Sequence, residues 1–255
     1  MPAALAFHVD RTITIHADRE VVFGFLTDSA RWAQWWGAGS TIDARPGGVV
    51  HIRYPGGSEA SGTVVEVDPP ERIVFTYGYA SGTPIEPGGS TVTITLTPDA
   101  RGTRLQLTHA VADEATRDSH VQGWRYQLAL FSNVVADAAN AAAADLVDAW
   151  FEAWADPDPA HRAATLNRIA AAGVVFRDRF GNTESLADLM PHISAAQHFM
   201  PGIRMERTGN VRHCQGTVLV EWIARSADGQ ERARGTNVFV LGADGRILSV
   251  TGFTG

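Results

Sequence analysis

Up to about residue 110, apolar and polar positions alternate with a period of two in short runs, the pattern of half-buried strands. Val9, Ile13 and Ile15 alternate with Asp10, Thr12 and Thr14, and Ile73, Phe75, Tyr77 and Tyr79 share one face. Val92, Ile94 and Leu96 alternate with Thr91, Thr93 and Thr95, and Leu105, Leu107 and His109 share another face. Arg45-Pro46-Gly47-Gly48, Pro55-Gly56-Gly57, Asp68-Pro69-Pro70 and Pro98-Asp99-Ala100-Arg101-Gly102 supply chain reversals between the runs, so an antiparallel meander is predicted. Two helices interrupt it. The first starts at Asp18, whose carboxylate is placed to cap amides ahead of Val21, Val22, Phe25 and Leu26; the second is short and holds Trp32, Trp35 and Trp36. From His120 to Ala138 the spacing of Val121, Trp124, Leu128, Phe131 and Val135 becomes helical, which predicts a long helix closing on the sheet.

The alanine-rich stretch 138–144 has high helix propensity and none of the character of a Gly/Ser linker, with Asn140 as the expected break. Domains are therefore predicted at 1–140 and 141–255. In the second, Leu146, Val147, Trp150, Phe151 and Trp154 lie at helical spacing before the Asp156-Pro157-Asp158-Pro159 stop, and another helix is expected over Ala160–Ala171. A short strand at Val174–Phe176 and a helix over Leu186–Gln197, with Pro191 early in it or breaking it, come next. Strand runs follow at Met205–Cys214, Thr217–Arg225, Arg232–Leu241 and Ile247–Phe253, with Asp228-Gly229 and Asp244-Gly245 as hairpin signals. The fold class is α+β in two domains.

Composition narrows the function. The chain has 255 residues, 45% hydrophobic and 19% charged, a formal net charge of −7 and a single cysteine, and all 21 of its basic residues are arginine. No apolar run reaches the roughly 18 residues of a membrane span. Met1–Asp10 lacks the basic and apolar regions of an export leader, and the lone Cys214 offers neither a disulfide nor a zinc pattern, so a cytoplasmic protein is expected. Residues 1–137 carry 10 Arg against 15 acidic groups and residues 138–255 carry 11 against 13, without the basic clustering that nucleic acid requires. His192 and His198, six apart, miss the spacing that sets two ligands on one helical face, and no metal is expected. No phosphate loop, Walker pattern or nucleophile elbow occurs, so no cofactor is expected.

Several motifs stand in a telling order in the first half: Ile13-Thr14-Ile15, Asp18 to Phe23, Leu26-Thr27-Asp28, Trp35-Trp36-Gly37, Arg45-Pro46-Gly47-Gly48, Glu66 to Val74, Gly102-Thr103-Arg104-Leu105 and Gly123-Trp124. Over about residues 7–138 the chain resembles bacterial heat-shock-ATPase-activator-like proteins of the START-like, helix-grip (SRPBCC) superfamily. The resemblance implies a curved antiparallel sheet gripping the long helix, with a mainly apolar cavity between them. Tyr54, Tyr77, Tyr79, His109 and Trp124 join apolar bodies to polar tips and are the candidate ligand-binding residues; the alternative for each is plain core packing. Trp35 and Trp36 read as a plug at the end of the sheet.

Over roughly residues 143–254 the chain is similar to the SnoaL-like, ketosteroid-isomerase-like group of the nuclear transport factor-like superfamily. The residues that carry this are Ala149 to Trp154, Val175-Phe176-Arg177-Asp178-Arg179-Phe180-Gly181, Gly235 to Val240 and Asp244 to Ile247. The likeness implies a conical α+β barrel with a deep pocket. In isomerase members a carboxylate after the first strand is the general base, and the matching residue is Asp178. Trp150 and Asn237 stand where those members have a tyrosine and a second acid; both can still donate a hydrogen bond to a developing oxyanion. The other reading of Asp178 is a surface acid paired with Arg177 or Arg179. Trp222 is expected inside with Val220, leaving Glu221 on the opposite face.

Three functions follow as expectations. The first is binding of a small hydrophobic or aromatic molecule in one or both cavities. The second is an isomerase- or cyclase-like enzyme with Asp178 as base and Asn237 and Trp150 as donors. The third is an interaction module forming a homodimer through the second domain's sheet.

Overall fold

A computed structural model describes residues 4–255. Residues 1–3, at the start of the stretch read above for an export leader, lie outside the described residues. The chain divides between Ala136 and Asp137 into two compact units.

The first unit contains seven strands, β1 (Phe7–Ile15), β2 (Thr41–Ile42), β3 (Val49–Arg53), β4 (Glu59–Asp68), β5 (Arg72–Tyr79), β6 (Ser90–Asp99) and β7 (Gly102–Val111). They form one sheet in the order β1-β7-β6-β5-β4-β3-β2, antiparallel at every pairing. The period-two reading holds residue by residue: Val92, Ile94 and Leu96 are buried while Thr91, Thr93 and Thr95 are half-buried. Along β7 every second side chain from Thr103 to Val111 is buried, so His109 occupies a position that Leu105 and Leu107 fill with aliphatic carbon.

Helices α1 (Arg19–Thr27) and α2 (Ser29–Trp36) connect β1 to β2, and α3 (Glu114–Ala139) follows β7. Asp28 caps α2 by accepting from the Arg31 amide at 2.9 Å. Asp18 stands at the α1 cap position, but its carboxylate makes no capping bond, which corrects that expectation; only its backbone carbonyl enters the helix, accepting from the Val22 amide. The long helix begins six residues before the predicted His120. Asp113 caps it, accepting from both the amide and the hydroxyl of Thr116 at 2.8 Å. It packs on the sheet through Trp124, which meets His109, and His120, which meets Tyr77 and Tyr79. Trp32, Trp35, Trp36, Phe75 and Phe131 form a buried aromatic cluster around α2.

Helix α3 stops at Ala139 and α4 (Ala143–Ala155) starts three residues beyond Asn140, whose carbonyl accepts from the Ala143 amide. The second unit continues with α5 (Pro159–Ile169), β8 (Ala170–Arg177), β9 (Asn182–Thr183), α6 (Leu186–Phe199), β10 (Arg204–Cys214), β11 (Thr217–Arg225), β12 (Glu231–Leu241) and β13 (Ile247–Thr254). Pro159 occupies the first turn of α5, where its missing N–H costs nothing, and Asp158 caps that helix. Pro191 lies inside α6 without ending it. Ser185 caps α6 through the Asp188 amide.

The six strands run β10-β11-β12-β13-β8-β9, with β13 and β8 parallel and the other pairs antiparallel. Among the described residues this sheet is open at β10 and β9, so the expected barrel is not closed. Trp150, Phe151, Leu166, Val174, Leu189, Ile193, Val220, Phe239 and Val250 build a separate core. Burying each such large side chain contributes about 1.5–3 kcal/mol, so each unit has its own driving force for folding.

Candidate functional sites

The first unit encloses a cavity of about 390 Å³ between α2, α3 and the sheet, with Trp36, Tyr54, Tyr77, Tyr79, His120 and Trp124 in its wall. Four of the residues singled out in the sequence, Tyr54, Tyr77, Tyr79 and Trp124, are therefore together. His109 is not among the lining residues: it is fully buried and reaches the cavity only through its neighbours, which corrects its expected ligand contact.

Hydrogen bonding fixes the state of that histidine. The indole N–H of Trp124 donates to His109 Nδ1 at 3.0 Å, so this nitrogen is unprotonated and the ring proton sits on Nε2. Nε2 then donates to Ser90 Oγ at 2.8 Å, and the serine hydroxyl donates to the Tyr77 carbonyl at 2.7 Å. Burial, with His120 beside it, pushes the His109 imidazole down to about 3, so the ring is neutral.

At the cavity wall the hydroxyls of Tyr54 and Tyr77 are 2.7 Å apart. Burial raises the ionisation of both above the usual phenol range, so both are protonated. Only one of the two donates within that pair, and Tyr77 is also hydrogen-bonded to Tyr79. The Tyr79 hydroxyl lies 3.3 Å from His120 Nε2. Gln127 donates to the Trp35 carbonyl. Trp35, Trp36 and His120 were not placed at a site from sequence; the signal for His120 was its position one helical turn before Trp124, on the same face of α3.

The second unit holds a smaller cavity of about 160 Å³, lined by Trp150, Trp154, Phe176, Asp178, Phe180, Trp222, Asn237 and Gly252 among others. Asp178, Asn237, Trp150 and Trp222, which sequence reasoning selected one by one, thus share a wall. Asp178 follows β8 in a turn closed by its amide to the Gly181 carbonyl at 2.9 Å, and its Oδ1 accepts from the Phe180 amide at 2.7 Å. It is half-buried, and among the described residues no ion pair joins it to Arg177 or Arg179. The Arg179 guanidinium lies over the Phe180 ring instead.

Asn237 is oriented by a contact the period did not disclose. Trp222 donates its indole N–H to Asn237 Oδ1 at 3.0 Å. An indole nitrogen can only donate, so the amide oxygen must face it and the Nδ2 group is left to donate elsewhere. Room for this comes from two glycines. A Cβ on Gly235 would lie 2.4 Å from Trp222 Cζ2, and one on Gly252 would lie 3.1 Å from Asn237 Oδ1 and 3.3 Å from Asp178 Cβ. The buried Nε1 atoms of Trp150 and Trp154, two lining residues, have no partner among the described residues. Glu221 is exposed on the other face and pairs with Arg212 at 3.2 Å, as its strand position implied. Arg225 and Arg234 are held by Glu206 and Glu231.

These features define a protein of two α+β domains, a helix-grip domain followed by an open-sheet relative of the cone fold, each with its own cavity. The family model described as Activator of Hsp90 ATPase homolog 1-like protein matches residues 16–136, and the SnoaL-like domain model matches residues 147–250. The chain carries one domain of each family. No curated protein matches it significantly. Among solved structures, a SnoaL-like family protein from Agrobacterium tumefaciens is 26% identical, with a TM-score of 0.42, covering 44% of this chain and 95% of its own. The Aha1 dimer from Colwellia psychrerythraea is 19% identical, with a TM-score of 0.42, covering 48% and 90%. CalU16 from Micromonospora echinospora is 26% identical, with a TM-score of 0.41, covering 50% and 74%. Among the described residues no helix is long and apolar enough to cross a membrane.

Proposed function

We propose that the chain binds small molecules of apolar or aromatic character in its two cavities. The observation that supports this reading is the composition of their walls: aromatic rings with a few hydroxyl, imidazole and amide groups, and Asp178 as the single carboxylate, with no arginine in either lining. Such walls bury apolar surface and orient it with a few hydrogen bonds, the usual economy of a small-molecule site. Native mass spectrometry of protein purified from its own host tests it. A bound small molecule, released on denaturation, is the expected result. Protein that arrives empty and also gives no heat with aromatic probes in titration calorimetry overturns it.

The Trp222–Asn237 bond favours a second reading for the smaller cavity, proton transfer next to a carbonyl. Asp178 takes the proton, and Asn237 Nδ2 with the Trp150 indole N–H donates to the oxygen as it gains charge, where fixed donors stabilise the transition state more than the ground state. The substrate is compact, because a cavity of about 160 Å³ is close to the size that holds a single benzene ring, about 150 Å³. Asp178→Asn keeps the shape and removes the base. Turnover of a compact cyclic ketone is expected to fall by about 10²–10⁴ with affinity retained. Equal loss of affinity and rate, or no loss of rate, overturns the assignment.

A further inference from the structure

His120 gives the larger cavity a specificity that its aromatic walls alone do not. Its Nδ1 lies 2.7 Å from the Thr116 carbonyl oxygen, which can only accept, so Nδ1 carries the proton. Ser119 Oγ, 3.1 Å from the same nitrogen, already spends its hydrogen on the Thr116 carbonyl and does not reverse this assignment. In the neutral ring Nε2 is then the lone-pair nitrogen, at the cavity wall. Among the described residues its one hydrogen-bond neighbour is the Tyr79 hydroxyl, in a long contact of 3.3 Å. The strongest open acceptor of the wall is thus underused.

The same wall has a donor to match. Tyr54, Tyr77 and Tyr79 share two hydroxyl contacts, Tyr54–Tyr77 at 2.7 Å and Tyr77–Tyr79, so one of their three hydrogens is left to offer once a ligand takes His120 Nε2. No Asp, Glu or Arg lines the cavity, so an ionised ligand would be desolvated without a counter-charge, at a cost of several kcal/mol. A neutral hydroxyl attached to an aromatic ring satisfies all three conditions: it donates once, accepts once and presents a flat apolar body to aromatic walls.

We infer that the cavity of the first unit is selective for neutral hydroxyaromatic molecules, the ligand hydroxyl donating to His120 Nε2. The inference rests on the reading that this cavity takes a ligand. Its probes are 2-naphthol and 2-methoxynaphthalene, which share the ring system and the ring-bound oxygen but differ in the hydrogen to be donated, which a methyl group replaces in the ether. In titration calorimetry of the full chain, 2-naphthol is expected to bind at least tenfold more tightly than the ether, and His120→Phe is expected to reduce the preference to within twofold. Proton–nitrogen correlation spectra of the wild-type imidazoles supply a readout that does not depend on the variant folding. The His120 Nε2 resonance should shift on adding 2-naphthol and stay in place with the ether. Equal affinities, or a preference that survives in His120→Phe, overturn the hydroxyl selectivity while leaving a ligand-binding cavity intact. If neither probe binds and the His120 resonances do not move, both the selectivity and the cavity reading fall.

Discussion

His109 shows how one polar residue in an apolar row sets the behaviour of its surroundings. Its two ring nitrogens are matched, one accepting from Trp124 and one donating to Ser90, so its burial leaves nothing unpaired. The cost appears in acid. The folded ring resists protonation down to about 3, whereas an unfolded histidine takes up its proton near 6.5. Between these limits the unfolded chain binds more protons, so stability is full above about 6.5 and is lost as the pH falls toward about 3. Denaturant titrations across this window should show the decline, with a total of roughly 5 kcal/mol as an upper scale. His109→Leu should flatten that acid limb while lowering stability at neutral pH by about 1–3 kcal/mol, because the Trp124 indole N–H loses its acceptor and Ser90 Oγ loses the donor it accepts from. At Gly252, the missing side chain leaves the gap between Asp178 and Asn237. Gly252→Ala should fold, with its new methyl group crowding both neighbours, and calorimetry should register weaker binding of compact ligands to the second unit with the first unit's affinity unchanged.

Among the elements, the helix starts separate what a motif permits from what a side chain does. Asp158 and Asp18 both precede helices and look equivalent in the sequence, but only Asp158 accepts amide hydrogens, from Ala160 and His161. Asp158→Ala should cost about 1 kcal/mol, and Asp18→Ala should stay within about 0.5 kcal/mol, as measured by chemical denaturation. The long helix was legible from its apolar face, from Val121 to Val135, but not its first turn. Glu114 to Ser119 carries no apolar repeat, and the start is marked by the Asp113–Thr116 cap. Strand positions were read where the period of two is unbroken, whereas β2, β3, β4 and β9 were not singled out. The turns at Asp228-Gly229 and Asp244-Gly245 gave the β11–β12 and β12–β13 hairpins, but neither their register nor the β13–β8 pairing was legible, so the second sheet's open edges appeared only with the pairing itself. The Trp222–Asn237 contact was hidden for the same reason: Trp222 lies opposite Gly235 and Asn237 opposite Val220, so the bond crosses the β11–β12 ladder diagonally and depends on a register that neither strand's sequence states.

The molecule as a whole places its charge and its chemistry apart. Ion pairs such as Arg225–Glu206 and Arg212–Glu221 are on the outside, while both cavities are lined almost wholly by uncharged groups. Exposed pairs of this kind contribute about 0–1 kcal/mol each, so concentrated sodium chloride should leave the melting temperature nearly unchanged, a point that calorimetric scans can check. Asp178, at the end of its strand, was the site residue most visible in the sequence, through the likeness of Phe176-Arg177-Asp178 to the base position of the isomerase members. His120 and the paired tryptophans were not, because on helices a cavity-facing residue and a core residue follow the same spacing.

Those tryptophans have one more property. Of the chain's seven, Trp35, Trp36 and Trp124 wall the larger cavity and Trp150, Trp154 and Trp222 the smaller. The protein is thus its own fluorimeter, with two sets of lamps. Any occupant that absorbs in the near ultraviolet will dim the set around it by energy transfer, and replacing the tryptophans of one set by phenylalanine would tell by colour alone which chamber had been entered.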